Sequence, residues 1–322
     1  MKATQQTTYR MLGTRLNDVS AQLEKLRSMG ASGKKLTVAS DDPASVRPVL
    51  NTRKQLSNVD RYLETLGRTA DTMAAADSQL SQVENIMQRA KEVMTGARNG
   101  ILNGADRTIL ADELVQLREQ LIDTANGSVD GRYLFAGYQE TSPPFAVNPA
   151  YDPAIYNPTD SATWPVSYQG DGNVTRLEID TGETMQVNLS GSDLFLGAAS
   201  WDTVGANSID SGRFDLFAEL TRAEEALRAG DQAAMQASLT DLEGAADQNR
   251  RLRAQMGVRA SRVETAKDYQ AGLKVDLKQI LSRYEDADAI AVFNDIIKQE
   301  NAFQAALNVT GRVAQLSILD YL

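Results

Sequence analysis

The placement of eight prolines limits this chain more than any other feature. Pro43 and Pro48 stand early, and the remaining six, Pro143, Pro144, Pro149, Pro153, Pro158 and Pro165, crowd between Thr141 and Gly170. Proline removes a backbone donor and clashes with the preceding helical turn, so the long proline-free flanks are where uninterrupted helices can run. The 322 residues read as two helical arms around an irregular middle. Length by itself allows two domains or one elongated one.

The flanks carry the periodicity such helices need. Tyr9, Leu12, Leu16, Val19, Leu23 and Leu26 recur in steps of three and four, which is a heptad seam, and Gly30 and Gly33 end it. A second seam starts at Leu56, runs through Met73, Leu80 and Met87 and ends at Ala97. It spans about 42 residues, roughly 60 Å of helix. It slips at Asp77, where a local change of supercoil is expected. Arg98 to Asp106 reads as a turn, and Leu110, Leu114, Leu117 and Leu121 mark a third helix that stops at Ala125 to Gly127.

Past the middle, Phe214 to Ala229 predicts a short helix closed by Gly230. Asp231 then caps what reads as the longest helix, with a seam from Leu239 to Tyr284. The run Tyr284 to Ala289 interrupts it with three carboxylates. Beyond it Phe293, Ile296, Phe303, Leu307, Val313 and Leu316 stripe a final helix. Neither terminal seam can bury its apolar stripe alone, so the two ends of the chain must meet.

The middle follows another period. Arg176 and Glu178 alternate with Leu177 and Ile179, a turn falls at Asp180 to Glu183, and Met185, Val187 and Leu189 lead to a second turn at Ser190 to Asp193, a β-hairpin pattern. From Thr141 to Ser211 the only basic residue is Arg176. The expected fold is mainly α with a small β insertion: an elongated antiparallel helical bundle or coiled-coil stem carrying a β-rich domain. The segments are 1–40, an N-terminal coiled-coil piece paired with the C-terminus; 41–132, the first half of the stem; 133–211, the acidic β-rich insertion; 212–285, the second half of the stem; and 286–322, the C-terminal coiled-coil piece.

Composition removes whole classes of function. The chain has no cysteine and no histidine, which excludes disulfides, thiolate nucleophiles, imidazole bases and nearly every transition-metal site. A net charge of -10 supplies no basic stripe for displacing counterions, so no nucleic-acid partner is expected. The N-terminal residues show no Sec-type signal, and no run of about eighteen apolar residues predicts a membrane span.

The stretch from Gly33 to Leu50, GKKLTVASDDPASVRPVL, offers the most candidates. Asp42 and Pro43 suit the N-cap and first position of a helix, with Asp41 adding negative charge at the positive end of its dipole. Pro48 predicts a kink, or a helix that begins properly only there. Ser32 to Lys35 fits S-x-x-K, but the S-D-N and K-T-G elements that give that motif its chemistry are missing. Glu285, Asp286 and Asp288 lack the glycine and distal glutamate of a calcium loop and read as a solvated hinge. The N-x-S/T triplets carry no weight, and the seam methionines read as core filler. No catalytic residue, metal site or cofactor is expected.

Two end segments resemble a known family. LEKLRSMGASGKKLTVASDDPASV, with the following helix ending AKEVMTGARNG, resembles the N-terminal region of bacterial flagellins, and the last residues, closing SILDYL, resemble the flagellin-type C-terminus. Between them GRYLFAGYQETSPPF, Gly131 to Phe145, is similar to the start of the β-domain in the hook-associated protein 3 family, the hook-filament junction proteins. Pro48 departs from the family's pattern.

The resemblance implies a structural subunit exported through the flagellar type III apparatus, extracellular at the hook-filament junction. Its terminal segments would order into a coiled coil on assembly. Partners would be other copies in a ring, a proximal hook-associated protein below, flagellin above, and an export chaperone on the C-terminal segment. The assembly interface would then be Leu12, Leu16, Val19, Leu23 and Leu26 with Phe293, Ile296, Phe303, Leu307, Val313 and Leu316. A filament-forming flagellin shares every feature except the GRYLF region. A carboxylate-only glycosidase rests on acidity alone, and a cytosolic coiled-coil scaffold leaves the flagellin-like ends without a reason.

Overall fold

The computed structural model describes residues 2–98, 103–180 and 182–319; side chains in 2–6, 8–9 and 313–319 fall outside the described set. The expected turn after Arg98 is therefore described only from Asn103 onward. The chain forms two compact units: Met1–Arg61 with Ala271–Leu322, and Tyr62–Gln270.

The helices are α1 (Lys2–Ser32), α2 (Pro43–Ala97) and α3 (Gly104–Ala125) before the middle. After it come a single turn, α4 (Gly191–Phe195), then α5 (Leu216–Ala229), α6 (Gln232–Glu285) and α7 (Ala289–Leu319). At 55 residues α2 exceeds the 54 of α6, so the longest helix is the earlier one. It begins at Pro43 and carries Pro48 inside it. A helix starting only at Pro48 is thereby corrected: Asp42 supplies the cap six residues earlier, and near a helix start the one lost bond, to Ala44, falls at an exposed position.

In the second unit α2 and α6 run antiparallel. Arg253 grips Asp77 through Nε at 2.7 Å and a second nitrogen at 3.0 Å, and Arg250 meets Glu84 at 2.7 Å. The charge that breaks the α2 seam is thus a paired one. Buried Asn249 donates to the Leu80 carbonyl at 3.1 Å, the kind of polar contact inside an apolar seam that fixes register. A capping box between Asn103 and Asp106 starts α3. Gly230, left-handed at φ 70°, closes α5, a conformation glycine adopts without a Cβ clash. Arg118 of α3 reaches Glu224 of α5 at 3.1 Å, and Arg228 of α5 reaches Asp112 at 2.7 Å.

The middle is sparse in strand. Among the described residues three two-stranded antiparallel sheets pair β1 (Ser128–Val129) with β2 (Arg132–Tyr133), β3 (Phe145–Val147) with β4 (Val166–Tyr168), and β5 (Arg176–Asp180) with β6 (Glu183–Gln186). The last is the expected hairpin, with register Leu177 to Met185. The second turn expected at Ser190 to Asp193 is instead the start of α4. Sheets this small cannot stand alone. Phe135, Phe145, Trp164, Phe195 and Phe217 accordingly join the same buried cluster as Leu80, Met87, Leu114 and Leu242 of the helices.

Candidate assembly interface

The two ends of the chain meet in the first unit, where α1 and α7 lie antiparallel. On α1, Leu23 is buried and Leu12, Leu16, Val19 and Leu26 are half-buried. On α7 the residues turned the same way are Val292, buried, with Ile296, Phe303 and Ala306 half-buried. Gly30 admits the close approach: a Cβ there would stand 3.3 Å from Ile296 Cδ1. Arg27 bonds Glu300 at 2.7 Å, and Gln299 donates to Gln22 at 2.9 Å. Beside them a groove of about 350 Å³ is lined by Leu23, Phe303 and the Arg27–Glu300 pair.

Two residues of the expected stripe look elsewhere. Phe293 is 61% exposed and Leu307 47%. With Ile290 and Ile297, also exposed, they fall on a second stripe of α7, displaced from the face that meets α1. The reason lies in the sequence of α7, where Ile290, Val292, Phe293, Ile296 and Ile297 supply apolar residues to both stripes. Val313 and Leu316 have side chains outside the described residues.

Below this pair the Gly33–Asp42 loop grips the corner between α6 and α7. The amides of Lys35 and Leu36 donate to the Glu285 carbonyl at 2.7 and 3.4 Å, and Ala287 N–H returns to the Gly33 carbonyl at 2.9 Å. Lys35 Nζ reaches the Arg283 carbonyl at 2.7 Å. The Glu285 carboxylate, only 2% exposed, accepts from Lys34 Nζ at 3.1 Å and Arg53 Nε at 2.7 Å. The solvated hinge expected here is therefore corrected. Glu285 is a buried anchor held by two cations, and Asp288 caps α7 through Ile290 and Ala291 N–H at 2.9 and 3.1 Å.

The adjacent aspartates do different work. Asp42 accepts from Ala44 N–H at 3.1 Å, Ser45 N–H at 3.4 Å and the Ser45 hydroxyl at the start of α2. That hydroxyl, foremost, holds its carboxyl below the usual range. Asp41 faces the other way. It pairs with Lys25 at 2.8 Å and accepts from Thr37 N–H and Val38 N–H, each at 3.0 Å. The Lys25 ammonium first, then those amides, push its carboxyl far down. Asp41 thus ties α1 to the loop.

The anchoring role of Glu285 is not visible in its local sequence. A glutamate in the last turn of a helix opposes the dipole and asks for a cationic partner, but Lys34 lies 251 residues away in sequence. Among the described residues no cluster of three or more acidic side chains is placed to hold a metal ion, and no helix is long and apolar enough to cross a membrane.

The model of the bacterial flagellin N-terminal helical region matches residues 4–140. Flagellar hook-associated protein 3 of Salmonella typhimurium is 28% identical over 320 residues, 95% of this chain and 95% of its own length. Polar flagellin F of Vibrio parahaemolyticus is 30% identical over only 108 residues, 33% of this chain and 29% of its own. Among solved structures, the flagellar junction protein FlgL from Legionella pneumophila aligns with a TM-score of 0.57 at 16% identity, over 74% of this chain and all of that one. The resemblance to flagellins, and within them to hook-associated protein 3, is borne out, as is the helical fold with small antiparallel sheets.

Proposed function

We propose that this flagellin-type chain, similar along nearly its whole length to a hook-associated protein 3, is the structural subunit at the junction of hook and filament in a bacterial flagellum. That end-to-end match carries the reading, since the match to a polar flagellin covers only a third of the chain. The subunit would be exported through the type III apparatus and act outside the cell, in a ring of copies between a proximal hook-associated protein and flagellin. A helical export chaperone would cover the C-terminal segment until then.

The role asks for an end of the molecule that packs with its neighbours. In the first unit α7 keeps Val292 and Ile296 for α1 and leaves Ile290, Phe293 and Ile297 uncovered. Uncovered apolar stripes of this kind mark surfaces that associate. Leu12, Leu16, Val19, Leu23, Leu26, Ile296 and Phe303 then hold α1 to α7 within one subunit, and Phe293 and Leu307 reach toward the next.

Gold-labelled antibody imaging of detached flagella tests the assignment. A single band of label between hook and filament is expected. Label along the whole filament would make the chain a flagellin instead, and label absent from the flagellum would reject both.

A further inference from the structure

Two carboxyls, Asp215 and Glu219, lie buried in the second unit one helical turn apart, and the Arg222 guanidinium bonds one of them while acting on both by charge. Asp215 caps α5, its Oδ1 accepting from Phe217 and Ala218 N–H at 2.9 and 3.1 Å. Its other oxygen, Oδ2, is buried without a partner, in a residue with no exposed surface. Glu219, 4% exposed, accepts at Oε1 from an Arg222 N–H at 3.1 Å, and its Oε2 is likewise buried and unpartnered. The hydroxyl of Tyr156 is a third such atom, and Arg222 lies 4.5 Å above the Tyr156 ring.

A buried oxygen that is ionised and unpartnered is costly, whereas a carboxyl that keeps its proton is neutral and becomes a donor. With both groups ionised, Arg222 would face two charges and satisfy one.

We propose that Asp215 and Glu219 together retain one proton near neutral pH, and that its loss in alkaline medium loosens the middle segment around Tyr151–Tyr156 from α5. That segment is held there by Arg222 against Tyr156 and by the Tyr151 hydroxyl, which donates to Glu225 at 3.3 Å. Arg222 on α5, Tyr156 on the middle segment and Asp241 on α6 face the pair, and Tyr151, Glu225 of α5 and Arg118 of α3 stand in the next layer of charge. Asp241 adds a further negative charge beside Glu219 and favours retention of the proton.

Burial, foremost, raises both carboxyls, Asp215 to about 8 and Glu219 to about 7. A group whose native pKa is raised binds its proton more tightly folded than unfolded. Its contribution to stability therefore falls as pH climbs from about 4 through the raised values.

Both tryptophans of the chain, Trp164 and Trp201, lie in the middle segment, and the Trp164 indole donates to the Asn157 carbonyl beside Tyr156 at 3.0 Å. Intrinsic fluorescence of the full chain therefore reads this docking directly. Raising the pH from about 6 to about 9 should lower the thermal midpoint followed by fluorescence by several degrees. Asp215→Asn keeps the Oδ1 cap and lacks the acid, so its midpoint should lose half or more of that slope. Glu219→Gln makes the same comparison if the first variant fails to fold. A wild-type midpoint flat over this range, or neutral variants as steep as the parent, would overturn the proposal.

Discussion

The two units use the same helical seams and fill them differently. Every member of the large buried cluster, from Leu66 to Val263, belongs to the second unit. Among the described residues the first unit buries only Leu23, Val49, Val59, Leu277 and Val292 of its apolar side chains. In compensation it is threaded with polar ties: Lys25 to Asp41, Arg27 to Glu300, Lys34 and Arg53 to Glu285. Apolar burial contributes roughly 25 cal/mol per Å², whereas exposed ion pairs contribute little. A helical pair held mainly by charge and hydrogen bonds is specified in geometry and weak in free energy. Such a pair gains most from a neighbour.

The contrast can be broken most forcefully in the second unit. Phe195 is fully buried, 5.3, 5.1 and 5.8 Å from the rings of Phe135, Phe145 and Phe217. Phe195→Ala should cost about 3–5 kcal/mol, read as an earlier denaturant midpoint by tryptophan fluorescence. A loss below about 1 kcal/mol would mean that the aromatic cluster is not the core described here.

A smaller effect is expected at the corner of the first unit. Arg53→Ala leaves buried Glu285 with Lys34 alone and should cost about 2 kcal/mol, less than a fully broken buried pair because one cation stays. The readout is faster amide exchange in α7 with exchange in α3 unchanged. Glu285→Gln should be milder, since the cations it frees are half exposed. Equal acceleration in both units would erase the distinction between them.

The smallest effect on the isolated chain sharpens the contrast furthest. Phe293→Ser should shift stability by less than about 0.5 kcal/mol, because the ring already faces solvent. It should nonetheless reduce incorporation into flagella, counted as junction label per flagellum. Wild-type incorporation would remove Phe293 from the assembly surface.

Much of this was legible before any coordinates. The heptad steps placed Leu16 and Leu23 toward α7, the lack of proline announced the long helices, and the Gly230–Asp231 step marked the boundary between α5 and α6. Three things were not. The face of α7 could not be chosen, since Val292 and Phe293 are adjacent and equally apolar. The role of Glu285 depends on cations from the other end of the chain. The middle segment read as a β-domain because alternation signals strand, yet the residues that secure it, Phe135, Trp164 and Phe195, stand outside the alternating run and show no period.

The corner at Glu285 has one more consequence. Tension applied along α1 reaches the loop at residues 34–36 and crosses to residues 285–287 through backbone hydrogen bonds from Lys35, Leu36 and Ala287. Bonds crossed side by side share a load that bonds opened in sequence would meet one at a time. The corner is therefore a splice, in which a pull on α1 is met by three backbone hydrogen bonds at once.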